Sequence, residues 1–310
     1  MTQQCAQTVF LVRPAAFGFN AETAASNRLQ RRDALSPAQA RKHALEEFDA
    51  MVAALRSEGV NTCVVDDTPE PVKPDAVFPN NWVSWHADGT VVLYPMQAAN
   101  RRPERRREIL DQVAAASGYR IVRTLDLTAH EREGRYLEGT GSLVLDHVGR
   151  IAYACRSPRT DERVLAQWCE AMGYAAEIFD ACDREGVPFY HTNVVMGIGR
   201  AFAAIGADCV AARDRERVLA RLAASGRELV GLTQEEIGAF AGNLLELSTW
   251  DEALGDSTVL VLSATARAQL APERYGRLAA CTDSVLPVPV PTIERLGGGS
   301  VRCMLGEVFR

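Results

Sequence analysis

The sequence lacks the features that mark several special classes of protein. No run approaches the ~18 uninterrupted apolar residues of a membrane-spanning helix. Eight cysteines are present, but none forms a Cys-x-x-Cys pair or a zinc-type spacing. Residues 1–4 contain no basic residue, and the apolar residues 9–12 are too few for a signal peptide. We therefore expect a cytoplasmic protein with free thiols and no membrane association.

Lysine is also scarce, since only Lys42 and Lys73 occur among the 34 basic residues. The remaining composition is that of a globular protein, with 47% hydrophobic and 24% charged residues, which excludes disorder for the bulk of the chain. A net charge of −6 argues against a general affinity for nucleic acid or anionic membranes. The expected partner is a small molecule, and a homo-oligomer remains open.

An internal repeat bears on the number of domains, because 310 residues allow two domains or one large one. Five segments share one pattern, in which an aromatic residue or a glycine is followed by a polar residue and then by a run of apolar residues. Their anchors, spaced by 57, 53, 52 and 60 residues, are Asn81, Glu138, His191, Asn243 and Cys303. We interpret the chain as five ββαβ units closed into a ring, a single α/β domain over residues 1–310. The alternative is two α/β domains split near residue 155.

The segments between anchors predict the elements of each unit. After Asn81, an Asp-Gly pair at residues 88–89 indicates a hairpin turn. Helical spacing of apolar residues then ends at Gly118, and residues 120–122 predict the closing strand. The next unit predicts a helix over residues 161–172.

A ring of repeats brings equivalent strand starts together, so chemically distinctive residues should converge at its axis. The converging set is Asp75, Asn80, Asn81, Glu138, His191, Asn193 and Cys303. A cysteine, a histidine and an acid together match a nucleophile, a base and an orienting carboxylate. An imidazolium at His191 would favour the thiolate of Cys303. Three glycines at residues 297–299 allow close backbone approach just before this cysteine.

Other common catalytic and cofactor-binding motifs are absent from the sequence. The glycine pairs lack the spacing of a dinucleotide or phosphate loop, and no Gly-x-Ser-x-Gly elbow occurs, so we expect no metal or organic cofactor. The arginine-rich residues 101–107 are interrupted by Glu104 and contain no aromatic residue. We interpret them as a solvated helix start rather than an RNA-binding segment.

The anchor segments resemble the pentein, or guanidino-group-modifying, superfamily of arginine deiminases, dimethylarginine dimethylaminohydrolases and amidinotransferases. The segments most similar to its citrulline-utilisation hydrolases are residues 10–20, 75–81, 136–142, 191–193 and 297–304. The resemblance covers essentially the whole chain and implies a five-bladed, pseudo-symmetric α/β propeller. It also implies that Cys303 is the nucleophile, His191 the general base and Glu138 the residue that orients the histidine.

Two departures from the superfamily pattern bear on the substrate. Deiminases carry an acid where this chain has Asn80 and Asn81, and another acid where it has Asn193. Those acids bind a guanidinium cation through charge-assisted pairs, whereas a neutral ureido group suits amides that both donate and accept. The expected substrate is therefore citrulline.

The remaining substrate contacts are expected from neighbouring segments. Asp75 and Phe78 would line the substrate, and Arg13 or Asn20 would hold its carboxylate. Three alternatives stay open: a guanidine hydrolase of the arginine deiminase or dimethylarginine dimethylaminohydrolase type, an amidinotransferase, and a catalytically silent pentein.

Overall fold

A computed structural model describes residues 3–251 and 255–309, and its fold is a mixed α/β fold, as the sequence predicts. The strands are β1 (Thr8–Arg13), β2 (Asn61–Asp66), β3 (Val83–Trp85), β4 (Thr90–Leu93), β5 (Arg123–Asp126), β6 (Val144–Asp146), β7 (Ile151–Cys155), β8 (Ala175–Phe179), β9 (Met196–Ile198), β10 (Phe202–Ile205), β11 (Glu228–Gly231), β12 (Leu245–Asp251), β13 (Gly255–Ser263), β14 (Ser284–Val288) and β15 (Gly306–Val308).

The helices lie mostly between the second and third strand of a unit. They are α1 (Ala21–Ala24), α2 (Pro37–Ser57), α3 (Arg107–Ser117), α4 (Gly139–Ser142), α5 (Glu162–Met172), α6 (Thr192–Val195), α7 (Ala212–Ala223), α8 (Gln234–Gly238), α9 (Ala264–Gln269), α10 (Pro272–Ala279) and α11 (Pro291–Gly297). Turns of 3₁₀-helix cover Pro79–Asn81, Ala99–Glu104, Thr128–Glu133, Ala207–Cys209 and Val301–Met304.

Strand pairing repeats the same order of directions. In each unit the first two strands pair antiparallel, and the third pairs parallel with the second after a helical crossover. The units are β15-β1-β2, β3-β4-β5, β6-β7-β8, β9-β10-β11 and β12-β13-β14. In the described residues, the first two share one six-stranded sheet and the others are separate three-stranded sheets. Hydrogen-bonded pairing therefore gives the ββαβ repeat without itself closing a ring.

Local sequence explains where the long helices begin and end. The Asp161 side chain accepts hydrogen bonds from the backbone of Arg163 and Val164, and α5 ends at Gly173 with φ 69°. The predicted ends of α3 at Gly118 and of α5 at Met172 are confirmed. The strand predicted at residues 120–122 is wrong, because β5 begins three residues later at Arg123.

Each unit's first strand follows a short helical turn or a tight loop. The turn Pro79–Asn81 precedes β3, α4 precedes β6, α6 precedes β9 and Val301–Met304 precedes β15, while Asn243 lies just before β12. The repeat anchors therefore occupy equivalent places in the five units. No helix in the two described ranges is long and apolar enough to cross a membrane.

Candidate active site

Cys303 lies in the turn Val301–Met304, and two amide groups contact its sulfur. The Sγ atom is 3.2 Å from Nδ2 of Asn243 and 3.5 Å from Nδ2 of Asn193. The turn is held by a hydrogen bond from the backbone N–H of Cys303 to the carbonyl of Ser300, 2.9 Å long. The side chain is buried but lines a small cavity that His191 also lines.

His191 precedes α6 and is fixed by two residues from the neighbouring unit. Its Nε2 lies 2.8 Å from Oε2 of Glu138, and Nη1 of Arg159 lies 3.3 Å from the same oxygen. The other oxygen of Glu138 accepts the backbone N–H of Gln97 at 3.0 Å. This buried carboxylate therefore orients both the imidazole and a guanidinium.

The electrostatics of this group set the protonation of its members. Burial would raise the pKa of Glu138, but Arg159 and His191 lower it well below its usual range. Burial lowers the pKa of His191 below that of a free imidazole, against the opposing effect of Glu138. The histidine is therefore neutral at pH 7 and able to accept a proton. The sequence leads us to expect that a protonated His191 favours the thiolate of Cys303. The lowered pKa of His191 does not fit that expectation.

Asn81 is held by Arg101 on the opposite wall of the cavity. Nη1 of Arg101 donates to Oδ1 of Asn81 at 2.8 Å, and its Nε and Nη2 donate to the carboxylate of Glu104 at 2.9 Å each. Arg101 is fully buried, so part of the arginine-rich run belongs to the site. The interpretation of that run as a solvated helix start is wrong for this residue, because Glu104 and Asn81 supply the pairing that burial requires.

Asp75 brings a carboxylate to the cavity. Its Oδ2 accepts hydrogen bonds from Nδ2 of Asn20 at 2.7 Å and from Oγ1 of Thr23 at 3.3 Å. Its Oδ1 is buried with no hydrogen-bond partner. Nε of Arg101 lies 3.9 Å away, and burial raises the pKa of Asp75. An N–H donor from a bound molecule would complete this group.

The cavity is almost closed in this conformation. Thr23, Asn27 and Tyr190 complete its walls, and the space inside is about 10 Å³, room for roughly one water molecule. Asn27 donates to the carbonyls of Gly297 and Gly298 at 3.3 and 3.2 Å, which fastens its segment over the site. A free amino acid is larger than this space.

Two glycines set how closely the units approach. A Cβ atom on Gly139, which has φ 48°, would lie 2.2 Å from the carbonyl oxygen of Asn80. A Cβ atom on Gly141 would lie 2.6 Å from Nδ2 of Asn81 and 2.7 Å from the His191 ring. Real Cβ atoms do not approach other atoms this closely. Helix α4 therefore packs against the turn Pro79–Asn81 only because both positions are glycine.

The structure places the remaining predicted residues as follows. Phe78 lines the cavity beside Cys303, whereas Asn80 is buried behind Asn81 and accepts its amide hydrogen bond at 3.0 Å. Asn20 supports Asp75 rather than lining the cavity. Arg13 is not brought to this cavity: it forms a surface ion pair with Asp49 at 2.8 Å, because β1 ends at the rim of the molecule.

The sequence does not predict several of the residues that line or contact the site, namely Thr23, Asn27, Arg101, Arg159, Tyr190 and Asn243. Asn243 carried a signal, since it anchors the fourth repeat. Tyr190 precedes the histidine and donates its hydroxyl to Gly298. In the described part of the chain, no group of three or more His, Cys, Asp or Glu side chains could hold a metal ion.

A family model described as N,N dimethylarginine dimethylhydrolase, eukaryotic, matches residues 13–310, nearly the whole chain. None of the curated proteins compared with the chain matches it.

Solved structures with a similar fold include two arginine-related proteins. The product-bound N-terminal domain of ArgZ, an arginine dihydrolase from the ornithine–ammonia cycle in cyanobacteria, has a TM-score of 0.73 at 14% identity, covering 97% of each chain. Unliganded AgrE has a TM-score of 0.73 at 16% identity, covering 98% of this chain and 40% of that one. The chain likewise spans 40% of the longer apo ArgZ chain.

A dimethylarginine dimethylaminohydrolase, solved as an adduct with 4-chloro-2-hydroxymethylpyridine, has a TM-score of 0.62 at 15% identity. The match covers 99% of this chain and all of that one. At such identities these structures show a shared fold.

Proposed function

Because the chain belongs to the family of N,N dimethylarginine dimethylhydrolases, within the pentein superfamily, we propose that it hydrolyses citrulline to ornithine, carbon dioxide and ammonia. The family supports a hydrolase that acts on the non-peptide carbon–nitrogen bonds of guanidino groups. The ureido group of citrulline has an oxygen where a guanidino group has a nitrogen, and the proposal concerns which of the two groups the protein hydrolyses, and by which residues.

The polar groups nearest the sulfur carry the proposal. In the described residues, the side chains within hydrogen-bonding distance of Cys303 Sγ are amides, and none is a carboxylate. Asn81, on the facing wall, presents another amide. A guanidinium substrate would enter with a positive charge and no carboxylate beside its reacting carbon. A ureido group is neutral and matches amides that donate and accept.

The charges around the cavity do not distinguish a neutral from a cationic substrate. Arg101 and Arg159 line it together with Asp75, and each arginine is paired with a further buried carboxylate, Glu104 for Arg101 and Glu138 for Arg159. Asp75 Oδ1, which has no partner, is suited to accept an N–H of a ureido group or of the substrate's ammonium group.

The first chemical step forms a thioester-like intermediate. His191 takes the proton of the Cys303 thiol, and the sulfur attacks the ureido carbon to give a tetrahedral oxyanion. Amide donors of Asn81 and Asn193 stabilise that oxygen. His191, now protonated, gives its proton to the leaving ornithine nitrogen. The carbon–nitrogen bond breaks, and Cys303 carries a carbamoyl group.

The second step hydrolyses that intermediate. The neutral His191 removes a proton from water, which attacks the carbamoyl carbon, and the thiolate leaves with its electron pair. The product carbamate decomposes to carbon dioxide and ammonia. Glu138 keeps the imidazole in one orientation through both steps and offsets its charge when it is protonated.

Hydrolysis of a guanidine such as arginine or dimethylarginine is the second candidate, and Oδ1 of Asp75, which has no hydrogen-bond partner, favours it. One buried acid at the cavity would offset a guanidinium charge. We place the ureido substrate first because the side chains that contact the sulfur of Cys303 are amides.

The deciding experiment incubates the purified protein separately with citrulline, arginine and asymmetric dimethylarginine. We expect equal amounts of ornithine and ammonia from citrulline. Citrulline formed from either guanidine, or ornithine formed only from arginine, would overturn the proposal. A matched variant sharpens the test: Asn193→Asp should lower the ratio of kcat/KM for citrulline to that for arginine by at least about tenfold, because it places an acid beside the sulfur.

Three broader proposals accompany this function. We propose that the five units close into one propeller domain over residues 1–310, that the enzyme acts in the cytoplasm, and that it needs no metal or organic cofactor. The ββαβ pairing supports the first of these. A catalytically silent pentein would give no product from citrulline. An amidinotransferase would transfer an amidino group from arginine to an added amine.

A further inference from the structure

We propose that Asn243 is a catalytic residue whose side-chain N–H donates a hydrogen bond to the sulfur of Cys303 and stabilises the thiolate. The inference rests on the proposed function in one respect, that Cys303 is the nucleophile. It adds a group that the triad of cysteine, histidine and acid does not include.

The orientation of the Asn243 amide is fixed by its other contacts. Oδ1 accepts the backbone N–H of Arg302 at 3.1 Å, and Nδ2 donates to the backbone carbonyl of Asn193 at 3.0 Å. Reversing the amide would place its NH₂ group against an N–H and its oxygen against a carbonyl oxygen. The second proton on Nδ2 is therefore directed to Cys303 Sγ, 3.2 Å away.

Asn193 is the other amide at the sulfur, and it lacks this constraint. Its Nδ2 is 3.5 Å and its Oδ1 3.9 Å from Sγ, so it can donate to a thiolate or accept from a thiol. Asn243 offers only a donor. A donor binds the charged thiolate more strongly than the neutral thiol, and so it shifts the equilibrium toward the reactive form.

The backbone around Asn243 holds this donor in place. Its N–H donates to the carbonyl of Phe240 at 2.9 Å, and the side chain is fully buried. The preceding Gly242 packs against α6 so closely that a Cβ atom there would lie 2.3 Å from the carbonyl oxygen of Val194. The loop that carries Asn243 is thus pressed against the helix that follows the catalytic histidine.

A donor at the sulfur also complements the state of His191. A cysteine nucleophile beside a protonated imidazole gains stabilisation of its thiolate from that charge. Burial lowers the pKa of His191, which disfavours its protonated form. The amides of Asn243 and Asn193 contact the sulfur directly and can stabilise negative charge on it.

The test measures how fast iodoacetamide alkylates Cys303 between pH 5 and pH 10, with the modified peptide identified by mass spectrometry. The variants are Asn243→Asp, which keeps an acceptor for the Arg302 N–H, and Asn243→Ala, which introduces no charge. Gln4→Ala removes a buried amide that lies outside the cavity and serves as the matched control. Melting temperatures establish that each protein is folded.

Apart from the carboxylate that Asn243→Asp introduces, the same ionisable groups lie around the cavity in all of these proteins, so those groups do not distinguish the variants. These groups are Asp75, Arg101, Glu138, Arg159, Tyr190, His191, Glu294, Arg302 and Glu307.

We expect both Asn243 variants to move the midpoint of the alkylation profile upward by about one pH unit or more, which is about a tenfold loss of thiolate at neutral pH. Gln4→Ala should keep the wild-type midpoint. A shift in Asn243→Asp alone would be an effect of its added charge and would overturn the proposal, as would wild-type profiles in both. Should Asn243→Ala not fold, Asn243→Ser replaces it with the same expectation. Alkylation needs no substrate, so failure of citrulline hydrolysis would be seen separately.

Discussion

Cys303 and Cys5 are both buried, yet their surroundings are opposite in character. The Cys5 thiol donates to Oε2 of Glu246 at 3.3 Å, and burial together with this carboxylate raises the pKa of Cys5 far above its usual range. The sulfur of Cys303 instead receives amide donors. The two side chains are 1% and 3% exposed, so burial does not distinguish them. An acceptor beside a sulfur favours the thiol, whereas a donor favours the thiolate that the proposed mechanism uses.

The largest expected effect comes from removing each sulfur. Cys303→Ser should lower kcat for citrulline, the proposed substrate, by more than about a thousandfold, because the proposed nucleophile is lost. Cys5→Ser should leave kcat unchanged, because that thiol is protonated and lies outside the cavity. Steady-state ornithine release measures both. Comparable losses in the two variants would erase the distinction between the two regions.

The next effect concerns the carboxylates, Glu138 beside His191 and Glu246 beside Cys5. Glu138→Gln should lower kcat by about a hundredfold to ten-thousandfold, because the amide no longer offsets a protonated imidazole. It should also lower the free energy of unfolding, since Arg159 loses its charged partner. Glu246→Gln serves as the control and should leave kcat as in the wild type. Near-normal turnover by Glu138→Gln would refute the orienting role.

A third effect is the pH dependence of stability. Burial lowers the pKa of His147 to about 3 and that of His86 to about 4. Below pH ~6.5 the unfolded chain binds protons that these folded histidines reject, so the free energy of unfolding falls as the pH drops. Each contributes a loss of about 2 kcal/mol between pH 7 and pH 5. Urea unfolding at pH 7, 6 and 5 measures the slope.

His147 lies in the Cys5 region, where its backbone N–H donates to Oε1 of Gln4 at 3.0 Å. Replacing it should therefore flatten the slope without changing catalysis. In His147→Phe the free energy of unfolding should fall less between pH 7 and pH 5 than in the wild type. An unaltered slope would show that this histidine does not control acid stability.

The smallest effect is expected at the surface pair of Arg13 and Asp49. Arg13→Ala should change the free energy of unfolding by less than about 1 kcal/mol, because the pair is solvent-exposed. KM for citrulline should not change, since Arg13 is outside the cavity. A large rise in KM would restore the role in carboxylate binding that the sequence suggested.

Much of the fold was predictable because local signals and the repeat agree. Helix α5 has Asp161 at its start and Gly173 at its end, and both act as the pattern predicts. The strand after α3 was misplaced because Ile121 and Val122 are apolar, although Val122 is 67% exposed. The segment that pairs with β4 is instead Arg123–Asp126, a largely exposed strand that contains polar residues.

The site was harder to predict because charged residues reveal their burial only in three dimensions. Arg101 stands in a run that looks solvated, and its partners include Asn81, 20 positions earlier. Arg159 reaches Glu138 and the carbonyl of Thr23, the latter 136 positions away along the chain. Such contacts leave no periodic pattern in the sequence. The anchors of the repeat do leave such a pattern, and Asn243, which contacts the sulfur, is one of them.

The paired glycines of α4 have a consequence for how mutations in this enzyme are interpreted. Neither Gly139 nor Gly141 has a functional group, yet alanine at either position would push apart backbones or side chains that carry the chemistry. Random mutagenesis scored by turnover would therefore find these two positions sensitive to substitution. The sensitivity of a position in this chain to mutation therefore reflects close packing between units as well as a role in the reaction.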